Sequence, residues 1–269
     1  MLDNLEAGLG RDGAAAPEGL AVYNSGQISI ELDPPRGKPG GLPMTVSLAE
    51  AEDHRTAANR LLNRCYSRRG YGSHHQLPRH ESCASFSAAV EGQVIGTLTL
   101  TADSPAGLSL DQTFAEELDL FRSSPGTHLC ELTKFAFDAS GSSLPYLASL
   151  FHVIFLFGTQ RYNCTDLFIE VNPRHVRFYE AMLRFRRVGE LKTNPCVNAP
   201  AQLMWLKVSE VRRLIDEHAG GNGTASRSLY PYFFSEREAQ VVAERLAGFG
   251  RQPVVGPSAL VASPALVGY

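Results

Sequence analysis

The chain has no long apolar run, no paired-cysteine motif, no excess of basic charge and only one tryptophan. Each absence narrows the function. The longest apolar stretch, residues 147–157, is broken by Ser149 and His152 and falls short of the roughly 20 residues a membrane-spanning helix needs. Cys65, Cys83, Cys130, Cys164 and Cys196 are odd in number, scattered and without a CxxC pair. That pattern predicts free buried thiols in a reducing compartment. The net charge is −3 and the pI near 6.2. A nucleic-acid binder needs a strongly basic face, so that class is excluded, although a local basic patch can still receive an acidic partner. Asp3 and Glu6 sit where a secretory leader carries Lys or Arg, which predicts a cytoplasmic protein. His74, His75, His80 and Cys83 fit no common zinc spacing and have no second cluster, so no metal is expected.

What is present suits a sizeable soluble core. Of 269 residues, 43% are hydrophobic and 20% charged, the balance of a folded globular chain. Residues 1–43 are rich in Gly, Pro and Ala and predict a mostly disordered arm with one strand at 27–32. Residues 251–269 predict a flexible tail. Between them, Ala51, Ala58, Leu61, Leu62 and Cys65 recur at helical spacing over 48–68. Strands follow at 84–90 and 93–101 around the Glu91-Gly92 turn. A helix at 111–122 carries Phe114, Leu118 and Phe121 on one face. A strand at 129–137 leads to a buried helix at 144–157, capped by Ser142 or Ser143. The strand 166–171 ends at Asn172, which caps a helix opened by Pro173. Strands at 187–191 and 202–208 close the series. A helix starts at 209, and Ser235 to Glu238 form a capping box before another. This order predicts an α/β mixed sheet with helices on both faces over 44–208 and a C-terminal helical extension over 209–250.

Three segments carry chemistry. The first, D-L-F-I-E-V-N-P-R-H-V-R-F-Y-E-A-M-L-R-F at 166–185, resembles the signature of the GNAT acyltransferase superfamily. There a strand-end Asn is followed seven residues later by a helical Tyr, the places of Asn172 and Tyr179. Acyl transfer from a thioester expels a thiolate, which a phenol beside a splayed strand can protonate. The bland alternative is a packed tyrosine with its hydroxyl at the rim. The second, C-E-L-T-K-F-A-F-D at 130–138, resembles the E-x-S-R-F strand of acyl-homoserine-lactone synthases, with Glu131 and Lys134 at the Glu and Arg places. An amine must be neutral to attack, and a carboxylate can take its proton directly or through water. Glu131 and Lys134 are three apart, so strict alternation points them to opposite faces. The third is D-A-S-G-S-S at 138–143. A loop before a helix N-terminus binds phosphate, yet Asp138 is a poor neighbour for the pyrophosphate of coenzyme A. Ser140, Gly141, Ser142 and Ser143 suit the single phosphodiester of a phosphopantetheine arm better.

Taken together, G-T-L-T-L with A-D-S-P-A-G-L-S-L-D (96–111), C-E-L-T-K-F-A (130–136), E-V-N-P-R-H-V-R-F-Y (170–179) and V-N-A-P-A-Q-L (197–203) resemble the long-chain N-acyl amino acid synthase family. The likeness spans about residues 50–248 and implies the GNAT, or acyl-CoA N-acyltransferase-like, fold. It implies transfer of a long-chain acyl group from acyl carrier protein to the amine of a free amino acid, with no permanently bound cofactor and acyl-phosphopantetheine as co-substrate. Glu131 and Tyr179 are then the expected catalytic pair, and Lys134, Phe135, Asn172, Arg174, His175 and Asn198 the expected substrate-binding set. Arg174 and His175 stand near a helix N-terminus, where they can clamp a carboxylate. Phe135, Phe137, Phe151 and Phe155 line an acyl pocket or are plain core. Arg60, Arg64 and Arg68 share a helix face and suit an acidic carrier protein; a solvated face is the simpler alternative. The Arg that lactone-forming relatives carry on the second strand is absent, with Thr97 and Thr99 flanking that place, which argues against a lactone product. The C-terminal helices have two readings, a cap over the acyl pocket or a homodimer contact. Two other activities stay open at this point: an acetyl-CoA-dependent N-acetyltransferase and a non-catalytic acyl-binding protein.

Overall fold

The computed structural model describes residues 29–35, 40–138, 144–221 and 228–248. Eight strands form one mixed sheet: β1 (Ser29–Leu32), β2 (Met44–Leu48), β3 (Cys83–Val90), β4 (Gln93–Ala102), β5 (Leu129–Phe137), β6 (Asp166–Val171), β7 (Arg186–Asn194) and β8 (Ala199–Lys207). Their order is β1-β2-β3-β4-β5-β6-β8-β7. Among the described residues only β5 and β6 run parallel. A parallel pair needs a crossover, which the chain supplies as α3 (Leu144–Tyr162). The other helices are α1 (Glu52–Ser67), α2 (Asp111–Arg122), α4 (Pro173–Leu183), α5 (Val208–His218) and α6 (Glu236–Ala247).

Side-chain alternation sorts the sheet into two unlike faces. Leu98, Leu100, Cys130, Leu132 and Ile169 belong to the cluster built on α3. Leu129, Phe168 and Leu203 meet Phe114 and Leu118 of α2, and Ala136 meets Leu61 and Leu62 of α1. The T-L-T-L-T run of β4 shows the division: its leucines take the α3 face, and Thr97, Thr99 and Thr101 are buried on the other. Thr99 pairs there with Ser85, Oγ1 to Oγ at 2.8 Å.

The helix α3 is apolar all round, buried from Pro145 through Ile154, because it is covered twice. The sheet takes one side. The second side receives Tyr230, Phe233, Val242 and Leu246 from beyond the last strand. His152 on α3 lies stacked against Phe233 and Phe234, with ring centroids 4.7 and 4.9 Å away. Its Nδ1 accepts the Phe234 backbone N–H at 3.0 Å. The capping box is present: the Ser235 N–H donates to Glu238 at 2.8 Å. The C-terminal helices thus share the core of the sheet.

The expected elements recur, including the strand at 27–32 as β1, though α3 runs on to Tyr162 and β7 and β8 are longer than expected; three further points stand out. Residues 44–48 form β2, where the sequence suggested helix from 48; α1 starts at Glu52. β1 pairs with β2, Ser29 opposite Ser47, so the sheet draws its first strand from the 1–43 arm. Cys196 is exposed, against the expectation of buried thiols, while Cys130 and Cys164 are buried; all five cysteines are free. Among the described residues no helix is long and apolar enough to cross a membrane, and no group of three His, Cys, Asp or Glu is placed to hold a metal.

Candidate active site

The parallel pair opens into a fork. β5 and β6 are in register only at Leu129–Asp166, Cys130–Leu167 and Glu131–Phe168. Beyond that, β5 continues to Phe137 and β6 to Val171 without pairing with each other. A β-bulge lies just past the divergence. The β4–β5 register passes from Thr99–Thr133 to Thr97–Ala136, so Lys134 and Phe135 both oppose Leu98. Lys134 takes a left-handed conformation, φ 53°. A bulge bends its strand and re-aims the side chains around it.

Here the bulge divides two neighbours. Phe135 joins the α3 face, its ring centroid 5.6 Å from that of Phe151. Phe137 and Phe155 are also half-buried against this cluster. Gly96 makes the room, since a Cβ there would stand 2.9 Å from the Phe137 ring. Lys134 goes the other way. Alternation would separate it from Glu131, but the bulge breaks alternation, and the ammonium feels the Glu131 carboxylate and the Cys196 thiol. Burial is the stronger influence and lowers its pKa. No carboxylate lies within salt-bridge distance of Lys134 among the described residues.

Glu131 sits at the base of the fork, 2% exposed. Its Oε1 accepts the Ser109 hydroxyl at 2.6 Å and its Oε2 the Leu110 N–H at 3.1 Å. Burial pushes its pKa up, and these two donors pull against that shift. The donors come from the 103–111 loop that starts α2. Arg122 staples that loop, donating through Nε and Nη2 to Asp103 (2.7 and 3.1 Å) and through Nη1 and Nη2 to Asp111 (2.7 and 2.8 Å). Asp111 also accepts the Leu108 N–H at 2.7 Å, and the Arg122 guanidinium holds the Asp111 carboxyl below its usual range. Gly107 is required here: its φ is +75° and a Cβ would lie 2.7 Å from the Asp111 carboxylate. Arg122→Ala should therefore loosen Ser109 and Leu110 and leave two half-buried carboxylates unpaired. The expected loss is about 2 kcal/mol, or roughly 5 °C in melting temperature. Arg122→Lys keeps the charge but not the fork of donors, and should recover only part of the loss in a thermal scan.

A second carboxylate shares this face. Glu170 lies two residues beyond Phe168 on β6, past the last β5–β6 pair. Its Oε1 accepts the Asn194 amide at 2.6 Å. Burial raises its pKa; Asn194 and the nearby Thr113 hydroxyl act the other way. Asn194 is fixed in turn by accepting the Cys196 N–H at 2.8 Å, and the Cys196 thiol reaches Gln112 Oε1 at 2.9 Å. Ser109, Gln112, Thr113 and the β7–β8 turn thus surround the α2-side mouth of the fork. A groove of about 670 Å³ lined by Arg55, Arg79, His80, Cys83 and Arg161 opens elsewhere, and no motif residue lines it.

The remaining expected residues fall in three places. Asn172 is a helix cap: its Oδ1 accepts the Arg174 N–H at 3.2 Å and its Nδ2 donates to the Pro200 carbonyl at 3.4 Å. Arg174, with His175 beside it, meets the segment that follows α1. The Arg174 Nη2 donates to the Tyr71 hydroxyl at 2.9 Å and its Nε to His175 Nε2 at 3.2 Å. Burial, with Arg69 and Arg174 nearby, lowers the His175 pKa, which keeps it neutral and able to accept. Tyr179 packs against Phe178 and Phe185 and feels Tyr66 of α1; burial raises its pKa well above the usual phenol range. Asn198 is exposed in the β7–β8 turn at φ 46°, and Asn194 makes the contact to the site. Asp138 pairs with Arg64 at 2.6 Å, while Arg60 and Arg68 remain exposed on α1. Ser140, Gly141, Ser142 and Ser143 lie outside the described residues.

Sequence reasoning missed Ser109, Glu170, Asn194 and Arg122. Glu170 had a signal: D-L-F-I-E-V places Asp166, Phe168 and Glu170 on one face of a strand that is otherwise apolar. The others are long-range partners with no local mark.

The family model of the N-acyl amino acid synthase FeeM matches residues 57–207. Among solved structures, FeeM, an N-acyl amino acid synthase from uncultured soil microbes, is 29% identical, covering 63% of this chain and 93% of that chain with a TM-score of 0.56. The AHL synthase LasI is 16% identical over 62% of this chain and 91% of its own, with a TM-score of 0.47. An acyl-CoA N-acyltransferase from Pseudomonas aeruginosa is 15% identical over 60% and 97%, with a TM-score of 0.42. None of the curated proteins matches the chain.

Proposed function

Because this chain belongs to the FeeM family of N-acyl amino acid synthases and is an acyltransferase of the GNAT fold, we propose that it moves a long-chain acyl group from the phosphopantetheine thioester of acyl carrier protein to the amine of a free amino acid. The observation that carries this reading is the two-sided fork. Its α3 side offers Phe135, Phe137, Phe151 and Phe155 to an acyl chain. Its α2 side offers Glu131, Ser109, Lys134 and Glu170 to a charged acceptor. The thioester carbonyl then lies between the strands, and a backbone N–H left out of the ladder by the bulge polarises it.

The acceptor's ammonium gives a proton to the Ser109 oxygen as Ser109 passes its own to Glu131. The neutral nitrogen attacks the thioester carbon, and the C–S bond breaks as the carbonyl re-forms. The thiolate takes a proton from Tyr179 as the nitrogen's second proton passes through water to the Tyr179 oxygen, so no tyrosinate is left behind. Tyr179 fits the donor role because burial keeps its phenol protonated.

The Arg64–Asp138 pair places a cation of the α1 face at the end of β5, the face that a carrier protein would meet. Exposed Arg60 and Arg68 extend the basic face toward an acidic carrier. A cytoplasmic location follows from such a donor.

Purified protein incubated with palmitoyl acyl carrier protein, palmitoyl-CoA or acetyl-CoA and a mixture of amino acids is read by mass spectrometry. A long-chain N-acyl amino acid, formed at least about tenfold faster from the carrier protein and slowed by salt, is expected. Acetylation alone would overturn the long-chain reading, and equal rates from palmitoyl-CoA would overturn the carrier-protein preference.

A further inference from the structure

Two charges at the α2-side mouth of the fork are half-buried without a counter-ion. Lys134 has no carboxylate within salt-bridge distance among the described residues. Glu170 is held by one neutral group, the Asn194 amide at 2.6 Å, and has no cation within that distance among the described residues. Elsewhere the fold pairs such charges: Arg122 with Asp103 and Asp111, Lys192 with Glu117, Arg64 with Asp138. An unpaired buried charge is costly; with Glu131 already bonded to Ser109 and Leu110, Lys134 and Glu170 are left as one charge of each sign, which calls for a partner that brings both.

Their positions agree with that. Lys134 is on β5 at the bulge and Glu170 is on β6 beyond the last paired residues, so they flank the gap where the strands have parted. Hydrogen bonds tie Glu170 to the β7–β8 turn, since the Cys196 N–H donates to Asn194 and Asn194 donates to Glu170, and the Lys134 ammonium lies in the field of Cys196 on the same turn. The β7–β8 turn thereby sets one charge relative to the other. Thr97, fully buried beside the bulge on the same face, has a hydroxyl with no partner among the described residues.

Resting on the acceptor reading above, we propose that Glu170 and Lys134 form a zwitterion site, in which Glu170 holds the α-ammonium of the acceptor and Lys134 its α-carboxylate. The site selects amino acids over simple amines. Glu170 binds the ammonium, and Glu131, reached through Ser109, removes the proton. Asn194 positions Glu170. The site takes over the carboxylate recognition that the sequence had suggested for Arg174 and His175.

The test offers the full-length protein each of the twenty protein amino acids beside the amine that lacks its carboxylate, with palmitoyl acyl carrier protein and palmitoyl-CoA as donors. Wild type should prefer the amino acid to its matched amine by roughly 100-fold in kcat/KM. Lys134→Met should bring that preference below about fivefold, and Lys134→Arg should restore much of it. Glu170→Gln should raise the acceptor KM by about 30-fold or more with kcat changed much less, because Gln can still accept from Asn194. Melting temperatures of all variants confirm that folded protein is compared. If wild type makes N-acyl amino acids while Lys134→Met keeps the preference or Glu170→Gln keeps the KM, the zwitterion site is overturned and the synthase reading stands. If wild type acylates no amino acid from either donor, the synthase reading falls and takes this site with it.

Discussion

Glu131→Gln should slow acyl transfer by about 100- to 10,000-fold while leaving the fold within about 1 kcal/mol of wild type. The argument lies in the two donors that hold this carboxylate. The Ser109 hydroxyl and the Leu110 N–H each give one hydrogen bond to it. A glutamine has one acceptor oxygen and one donor NH2. The Leu110 N–H cannot reverse, so the amide oxygen must face it. The NH2 then faces Ser109, whose hydroxyl rotates to accept. Both bonds survive in number, and stability is kept. The proton path is lost, because Ser109 no longer has a base to give its proton to. Glu131→Ala should differ in kind: it orphans two donors at a buried site and costs about 1–3 kcal/mol for each in addition to the rate. Single-turnover kinetics and urea unfolding on the same samples separate the two effects. A Glu131→Gln protein with near wild-type turnover would remove Glu131 from the chemistry. The raised pKa of this group also fixes the sign of the pH profile: turnover should rise as pH climbs through a value above the ordinary glutamate range.

His152 should make the protein lose about 2 kcal/mol of stability between pH 7 and pH 5. It is 1% exposed and stacked on two phenylalanine rings, and burial pushes its pKa from 6.5 to about 3. The unfolded chain takes up a proton below pH 6.5 that the folded chain refuses. Stability is therefore full above pH 6.5 and falls as pH drops toward 3, by about 1.4 kcal/mol per unit within that window. His152→Gln keeps an acceptor for the Phe234 N–H and removes the titration. Its stability at pH 7 should be lower, since the stacking is lost, but its loss on going to pH 5 should be smaller by the same 2 kcal/mol or so. Urea midpoints for both proteins at the two pH values give the comparison. Equal losses would mean that His152 titrates normally.

The sequence carried the fold further than the site. Local periodicity gave α2, β5, β6 and α4 with their observed ends, because each is punctuated by a cap, a proline or a clean alternation. β2 was missed because its five residues run into α1 with no turn signal. Of the motif residues, Glu131, Lys134 and Phe135 stand on β5 and Asn172 follows the end of β6, with Tyr179 on α4. The partners of these residues depend on long-range geometry, which the local pattern does not carry. The bulge turned Lys134 toward Glu131 against simple alternation. Asn172 caps α4 as the sequence suggested, and Arg174 meets Tyr71, 103 positions away. Glu170 gained its setting from Asn194, 24 positions away, which no local pattern announces.

The single parallel pair also constrains how the product leaves. On the proposed placement, the acyl tail lies on the α3 side of the sheet and the amino acid head on the α2 side, with the new amide between the parted strands. Such a molecule is threaded through a slit. Neither end can be drawn back through the sheet, because the tail is too apolar for one side and the head too charged for the other. It can escape only edgewise, sliding along the slit toward the free ends of β5 and β6, away from the closed end where Glu131 meets Phe168. Exit is then governed by what stands at that rim, the start of α4 and the Phe137 end of β5, and longer tails should dwell there longer.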